Sequence, residues 1–134
     1  MNPTKSVLLV EDDKIDVMTI RRIFKELNIQ NPLTVASNGE EALDLLMQGS
    51  TQNFSVILLD LNMPRMSGIE FLTVVKSNDH FRHIPIVVLT TSNHEDDIQQ
   101  AYDLSVEGYM VKPVDYDQFV EMMKNIHGYW TTSA

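Results

Sequence analysis

The strongest constraint on the fold is a set of three short apolar runs, at residues 7–10, 56–59 and 86–89, in which apolar and polar residues do not alternate. Each run is rich in leucine or β-branched residues and ends in polar residues. Strands that are covered on both faces have this composition, because neither face meets water. Weaker runs at residues 33–36 and 109–111 raise the number of predicted strands to five.

The segments between these runs carry apolar residues at helical spacing. Such spacing gives a helix one apolar face that a sheet can cover. Three starts match or approximate the capping-box pattern, in which the second residue follows the first by three positions. These pairs are Ser67 with Glu70, Ser92 with Glu95, and Asp115 with Gln118. The segment 95–104 is the least amphipathic. The apolar positions are Ile20, Ile23, Phe24 and Leu27, then Ala42, Leu45 and Leu46, then Ile69, Leu72 and Val75, and last Phe119, Met122, Met123 and Ile126.

Five strands alternating with five helices predict an α/β fold with a parallel sheet, because right-handed crossovers place helices on both faces. We expect a flavodoxin-like, doubly wound sheet with strand order 2-1-3-4-5. A chain of 134 residues with 43% hydrophobic residues is long enough for one core and too short for two comfortable ones. We therefore predict a single domain over residues 1–134.

The composition excludes several classes of function. The net charge is −9 and the ten basic residues are scattered, which argues against binding to nucleic acid or to an anionic membrane surface. The chain has no cysteine, so disulfides, thiolate zinc sites and cysteine nucleophiles are excluded. No segment reaches the roughly 20 apolar residues of a membrane helix, and the first residues lack the apolar core of a leader. We expect a cytoplasmic protein.

Polar residues follow four of the five predicted strands. The first strand ends in Glu11 and Asp12, the third in Asp60, the fourth in Thr90 and the fifth in Lys112. Ligands of an open parallel sheet bind beyond the carboxyl ends of its strands, where the winding direction reverses. Three carboxylates, a hydroxyl and an ammonium are therefore expected to meet at one edge of the sheet.

These residue types suit phosphoryl transfer with a hard metal ion. Crowded carboxylates raise one another's pKa unless a cation neutralises them, and Mg²⁺ prefers such all-oxygen sites. Beside the metal, Asp60 can attack a phosphoryl group, since aspartate carboxylates form acyl phosphates. Lys112 would pair with the new phosphate, and the Thr90 hydroxyl would donate to it. We expect the turn at residues 62–64 to expose Asp60 and to offer backbone groups to the metal.

The motifs VLLVEDD, VILLDLNMPRMSG, IPIVVLTTS and GYMVKP together resemble the receiver domain of two-component response regulators, over nearly the whole chain. The resemblance implies that Asp60 is the phosphoacceptor. It also implies that Glu11 and Asp12 are the acidic pair at the metal, with Asp12 touching the ion directly, and that the backbone carbonyl of Asn62 is a further ligand.

The same resemblance assigns residues near the phosphoryl group. It makes Thr90 and Tyr109 a switch pair and Lys112 the lysine that contacts phosphate, followed in the family by a cis peptide bond to proline. Thr91 falls beside the phosphate, where the family prefers a small residue, so its side chain is expected to slow the access of water.

A narrower likeness is carried by VEDDKID, LTTSNHEDDI and the ending IHGYW, which look like the small single-domain regulators that pair with bacterial phytochromes. In those regulators an aromatic-rich last helix takes part in dimerisation, which makes Tyr129 and Trp130 candidates for a dimer contact. Exposed aromatic residues near a chain end commonly mark a contact surface.

Three functions are compatible with these residues. The first is a phosphorelay switch without an output domain, which receives phosphoryl from a histidine kinase and acts through another protein or by self-association. It would not be an enzyme beyond self-catalysed phosphorylation and dephosphorylation. The second is a phosphatase of the haloacid-dehalogenase type, but such enzymes want an acid two places after the nucleophile, where this chain has Asn62. The third is a degenerate receiver that only binds.

Other acids have a simpler interpretation. Asp13, Asp16 and the acids at 95–97 are expected to be helix-start residues that the helix dipole favours, and not metal ligands.

Overall fold

The computed structural model describes residues 5–48, 54–63, 65–113 and 115–132. Strands and helices alternate along these residues, and every predicted strand and helix is confirmed. In chain order the elements are β1 (Ser6–Val10), α1 (Lys14–Glu26), β2 (Leu33–Ala36), α2 (Gly39–Gln48), β3 (Phe54–Leu59), α3 (Gly68–Lys76), β4 (Ile86–Thr90), α4 (Glu95–Asp103), β5 (Gly108–Val111) and α5 (Tyr116–Thr132).

The strands form one parallel sheet in the order β2-β1-β3-β4-β5, as predicted. The chain winds to one side from β1 to β2 and to the other side from β3 to β5, so the winding direction reverses between β1 and β3. Val10 pairs with Leu59 across that boundary. The carboxyl ends of β1 and β3 therefore lie side by side, which is the position that the sequence predicted for the site.

Two cores cover the two faces of the sheet, which explains why the strand sequences do not alternate. Leu8 and Val10 pack with residues of α2, α3 and α4, whereas Val7 and Leu9 pack with residues of α1 and α5. All four side chains are essentially inaccessible to water. Burying an aliphatic side chain of this size contributes about 1.5–3 kcal/mol. These cores hold the strand ends in fixed relative positions.

Of the three predicted capping boxes, the one at Ser67 is confirmed. At the start of α3, the Glu70 N–H donates to Ser67 Oγ at 3.3 Å and the Ser67 N–H donates to Glu70 Oε1 at 3.2 Å. The cap predicted at Ser92 is wrong, because α4 is preceded by His94, whose side chain makes no capping bond. The Ser92 hydroxyl instead donates at 2.5 Å to the side chain of Asp97, in the first turn of α4.

The start of α3 lies directly against the loop that follows β3. The Gly68 N–H donates to the Leu61 carbonyl at 3.0 Å. A Cβ at position 68 would lie 2.5 Å from Leu61 Cα and 2.6 Å from the Asp60 carbonyl oxygen. Only glycine permits this approach, so α3 and the loop after Asp60 form one rigid unit.

The C-terminal helix, α5, continues through positions 129 and 130. The side chains of Tyr129 and Trp130 lie outside the described part of the structure, so the dimer contact stays a prediction.

Among the described residues, no helix combines the length and the apolar character needed to cross a bilayer. The absence of an output domain from residues 1–134 also stays a prediction.

Candidate functional site

Backbone hydrogen bonds that extend the parallel sheet fix the polar residues at its carboxyl edge. The Asp60 N–H donates to the Val10 carbonyl at 3.0 Å, and the Lys112 N–H donates to the Thr90 carbonyl at 2.7 Å. The Glu11 N–H donates at 2.9 Å to the carbonyl of Ala36, the last residue of β2. Each of these residues directly follows its strand, and its backbone continues the hydrogen bonding of the sheet.

Three carboxylates meet at this edge, as the sequence predicted. Glu11, Asp12 and Asp60 each offer an oxygen, and these oxygens lie within 4.8 Å of one another. Glu11 and Asp60 are buried, with 2% and 7% of their surface exposed, whereas Asp12 is exposed. An all-oxygen set of this charge suits a hard divalent cation, which would enter from the side of Asp12.

Lys112 lies beside this acidic cluster and is almost inaccessible, with 5% of its side chain exposed. Its Nζ donates to Glu11 Oε1 and, at 2.8 Å, to Asp16 Oδ2. The same Nζ lies 3.6 Å from Asp60 Oδ2. Together with Asp12, four carboxylates face one ammonium, and this excess of negative charge favours a bound cation.

The electrostatic environment shifts the pKa values of two of these groups. Burial raises the pKa of the Glu11 carboxyl to about 8, although the Lys112 ammonium acts against this shift. Burial alone would lower the pKa of Lys112, but its hydrogen bonds to Asp16 and Glu11 outweigh burial and raise that pKa above its ordinary value. Lys112 therefore stays charged, and a cation bound among the carboxylates would lower the pKa of Glu11.

Sequence reasoning missed the role of Asp16. Asp13 is the N-cap of α1, accepting the N–H groups of Ile15 at 2.8 Å and Asp16 at 3.2 Å, so its interpretation as a helix-start acid is confirmed. Asp16 also lies in the first turn but forms an ion pair with Lys112, 96 residues away. No local pattern in the sequence indicates this pair, because the two residues belong to opposite ends of the chain.

The turn after β3 does not expose Asp60, and that expectation was wrong. Asp60 is buried because its carboxylate faces Lys112 on one side and accepts the Asn62 N–H at 3.2 Å on the other. The Asn62 side chain donates to Thr90 Oγ1 at 3.4 Å. Pro64 lies outside the described residues, and the role of the Asn62 carbonyl as a metal ligand stays a prediction.

The two predicted switch residues meet at Ser92, which sequence reasoning did not single out as a site residue. The Tyr109 hydroxyl donates to the Ser92 carbonyl at 2.9 Å, and the Ser92 N–H donates to Thr90 Oγ1 at 3.4 Å. Burial raises the pKa of the Tyr109 hydroxyl. Because the Ser92 side chain also bonds to Asp97, this residue connects the site to the first turn of α4.

The remaining residues that the resemblance implied lie in the loops after β4 and β5. Thr91 is exposed beside the buried Thr90, and its effect on water access stays a prediction. No cis peptide bond occurs among the described residues, so the bond between Lys112 and Pro113 is trans and the implied cis bond is not found. The trans form is the one that an isolated peptide bond to proline prefers.

Comparison with known proteins identifies close relatives. The family model of the response regulator receiver domain matches residues 7–124. The response regulator Rcp1 of Synechocystis sp. is 38% identical over 133 residues, which are 96% of this chain and 90% of Rcp1. The structure of the phosphorylated cyanobacterial phytochrome response regulator RcpA has a TM-score of 0.87 at 36% identity, covering 97% of this chain and 96% of RcpA. The Mn²⁺-bound form of Rcp1 has a TM-score of 0.83 at 37% identity, with 94% of each chain covered.

Proposed function

Since this chain belongs to the family of response regulator receiver domains, which act in two-component signalling, we propose that it accepts a phosphoryl group on Asp60 from a histidine kinase. One observation carries the proposal. At the carboxyl edge of the sheet, carboxylate oxygens of Glu11, Asp12 and Asp60 lie within 4.8 Å of one another. The Nζ of Lys112 lies 3.6 Å from Asp60 Oδ2.

The proposed reaction is a transfer between two side chains. A carboxylate oxygen of Asp60 attacks the phosphorus of a phosphohistidine whose other ring nitrogen carries a proton. The bond from phosphorus to nitrogen breaks, and the histidine leaves as a neutral imidazole. The product is an acyl phosphate at Asp60. Positioning and charge stabilisation supply most of the catalysis in phosphoryl transfer, and the rigid anchoring of Asp60 at the end of β3 supplies the positioning.

The charge stabilisation is assigned to a cation and to Lys112. The carboxylates of Glu11, Asp12 and Asp60, with the Asn62 carbonyl, would hold Mg²⁺, which neutralises charge on the phosphoryl oxygens when it is bound. The Mn²⁺-bound form of the relative Rcp1 supports a divalent ion in this family. Lys112 would pair with a phosphoryl oxygen, because its Nζ already lies on the side of Asp60 Oδ2.

We further propose that phosphorylation acts on Thr90 and Tyr109. The buried Thr90 hydroxyl would turn toward the phosphoryl group, which changes its contacts with Asn62 and Ser92. Tyr109 bonds to the Ser92 carbonyl, so it would follow that change. A phosphoryl group shifts the equilibrium between two conformations of the protein only if it makes better contacts with one of them than with the other.

The partners are proposed from the relatives. RcpA is a phytochrome response regulator, so a phytochrome-type histidine kinase is the proposed phosphodonor for this chain. Its output would pass through contacts with a downstream protein in the cytoplasm, or through a homodimer that uses Tyr129 and Trp130. No nucleic acid or membrane takes part in this scheme.

Acetyl phosphate with Mg²⁺, followed by intact mass measurement, tests the proposal. We expect one phosphoryl adduct on the wild type, none without the metal, and none on Asp60→Asn. Asp79→Asn is the matched control, because Asp79 is an exposed acid of the loop before β4 and its loss changes the net charge equally. Its adduct should equal that of the wild type. An adduct that persists on Asp60→Asn would contradict the assignment, and a metal titration without binding would favour a degenerate receiver.

A further inference from the structure

We propose that Asp16 is a positioning residue for Lys112, and that it holds the ammonium in the orientation needed to receive the phosphoryl group. This inference rests on the proposed function, since it concerns how Lys112 serves Asp60. Asp16 Oδ2 accepts from Lys112 Nζ at 2.8 Å, which is shorter than the 3.6 Å between that Nζ and Asp60 Oδ2.

The geometry of the ammonium supports this role. An ammonium carries three N–H donors and rotates about a flexible four-carbon stem, so one hydrogen bond does not fix its direction. Glu11 and Asp16 occupy two of the donors of Lys112. The third donor is then left on the side of Asp60, at a distance where an incoming phosphoryl oxygen completes the set.

Asp16 acts on the lysine and not on the cation. The oxygens that lie close enough to share an ion belong to Glu11, Asp12 and Asp60, and no other described acid joins this group. With 26% of its side chain exposed, Asp16 lies at the rim, behind Lys112. Its charge is therefore balanced by the lysine, while the remaining carboxylates are left for the metal.

Further contacts between α1 and the start of α5 make Asp16 a fixed anchor. The Arg22 guanidinium lies over the Tyr116 ring, 4.6 Å from its centre, and the Tyr116 hydroxyl donates to Glu26 at 3.3 Å. Tyr116 is the first residue of α5, four positions after Lys112. The loop that carries Lys112 is thus joined to α1 at both of its ends, and Asp16 provides the end inside the site.

The test measures the rate constant of phosphorylation by acetyl phosphate with saturating Mg²⁺. We expect Asp16→Ala to slow the reaction by about tenfold, because one charge-assisted hydrogen bond of Lys112 is lost. Asp16→Asn keeps an oxygen acceptor without the charge and should slow it by only about threefold, since neutral bonds are roughly half as strong. Asp13→Asn is the control, because it removes the same charge from the same helix turn and retains a good N-cap. Its rate should equal that of the wild type.

A double-mutant cycle separates positioning from a merely structural effect. If Asp16 works through Lys112, then Asp16→Ala should cause no further loss once Lys112→Ala is present. An unchanged rate in Asp16→Ala, or the same tenfold loss with and without Lys112, would overturn the inference. If the wild type itself gains no phosphoryl group, the proposed function fails first and the role of Asp16 falls with it.

Discussion

Replacing Gly68 by alanine tests whether α3 and the loop after Asp60 are one rigid unit. The new Cβ would lie 2.5 Å from Leu61 Cα and 2.6 Å from the Asp60 carbonyl oxygen, whereas ordinary contacts begin at 3.4 Å. Both neighbours are backbone atoms, so a side-chain rotation cannot relieve the overlap. Overpacking of this kind costs about 1–3 kcal/mol, and the severe overlap here places our expectation for Gly68→Ala at about 3 kcal/mol.

Denaturant unfolding measures this loss directly. For a domain of this size it corresponds to a melting temperature lower by roughly 10 °C. Gly128→Ala is the matched control, because nothing lies within 4 Å of a Cβ built at Gly128 in α5. That change should raise stability by up to about 1 kcal/mol through helix propensity. Because the overlap falls on the backbone of Asp60, Gly68→Ala should also slow phosphorylation while the protein is still folded. A Gly68→Ala protein as stable as the wild type would refute the reasoning.

Two further changes probe the connections of the site. Ser92→Ala removes the bond to Asp97 and should cost about 1 kcal/mol. It should also speed hydrogen exchange in the first turn of α4, and exchange as slow as in the wild type would show that this bond does not hold the helix. For the C-terminal helix, Trp130→Ala should weaken self-association in sedimentation experiments. The same monomeric profile for both proteins would remove the proposed dimer contact.

The fold was predictable because its strands are buried on both faces. Runs such as residues 56–59 cannot be exposed on either side, so the sequence alone indicates a sheet between two helical layers. The capping pattern at Ser67 worked because the side chains of Ser67 and Glu70 each bond to the other residue's backbone N–H. The same pattern at Ser92 failed because α4 begins two residues later, with His94 as its N-cap.

The site was predictable only where a strand end fixes a residue. The proximity of Glu11, Asp12 and Asp60 follows from strand order, and the family resemblance drawn from four motifs is confirmed by the receiver-domain match. Asp16 was missed because its partner, Lys112, follows β5 and is 96 residues away in the sequence. No local pattern reports a contact over such a separation. The burial of Asp60 was missed because the reach of the Lys112 side chain cannot be read from its position after a strand.

The central claim is that Asp60 captures phosphate, and chemical localisation of the phosphoryl group tests it most directly. Borohydride reduces an acyl phosphate to the alcohol, so protein that has been phosphorylated, reduced and digested should carry homoserine at position 60, with Glu11, Asp12 and Asp16 unchanged. Reduction at Asp12 or Asp16, or phosphate retained on a histidine with residue 60 unmodified, would contradict the account.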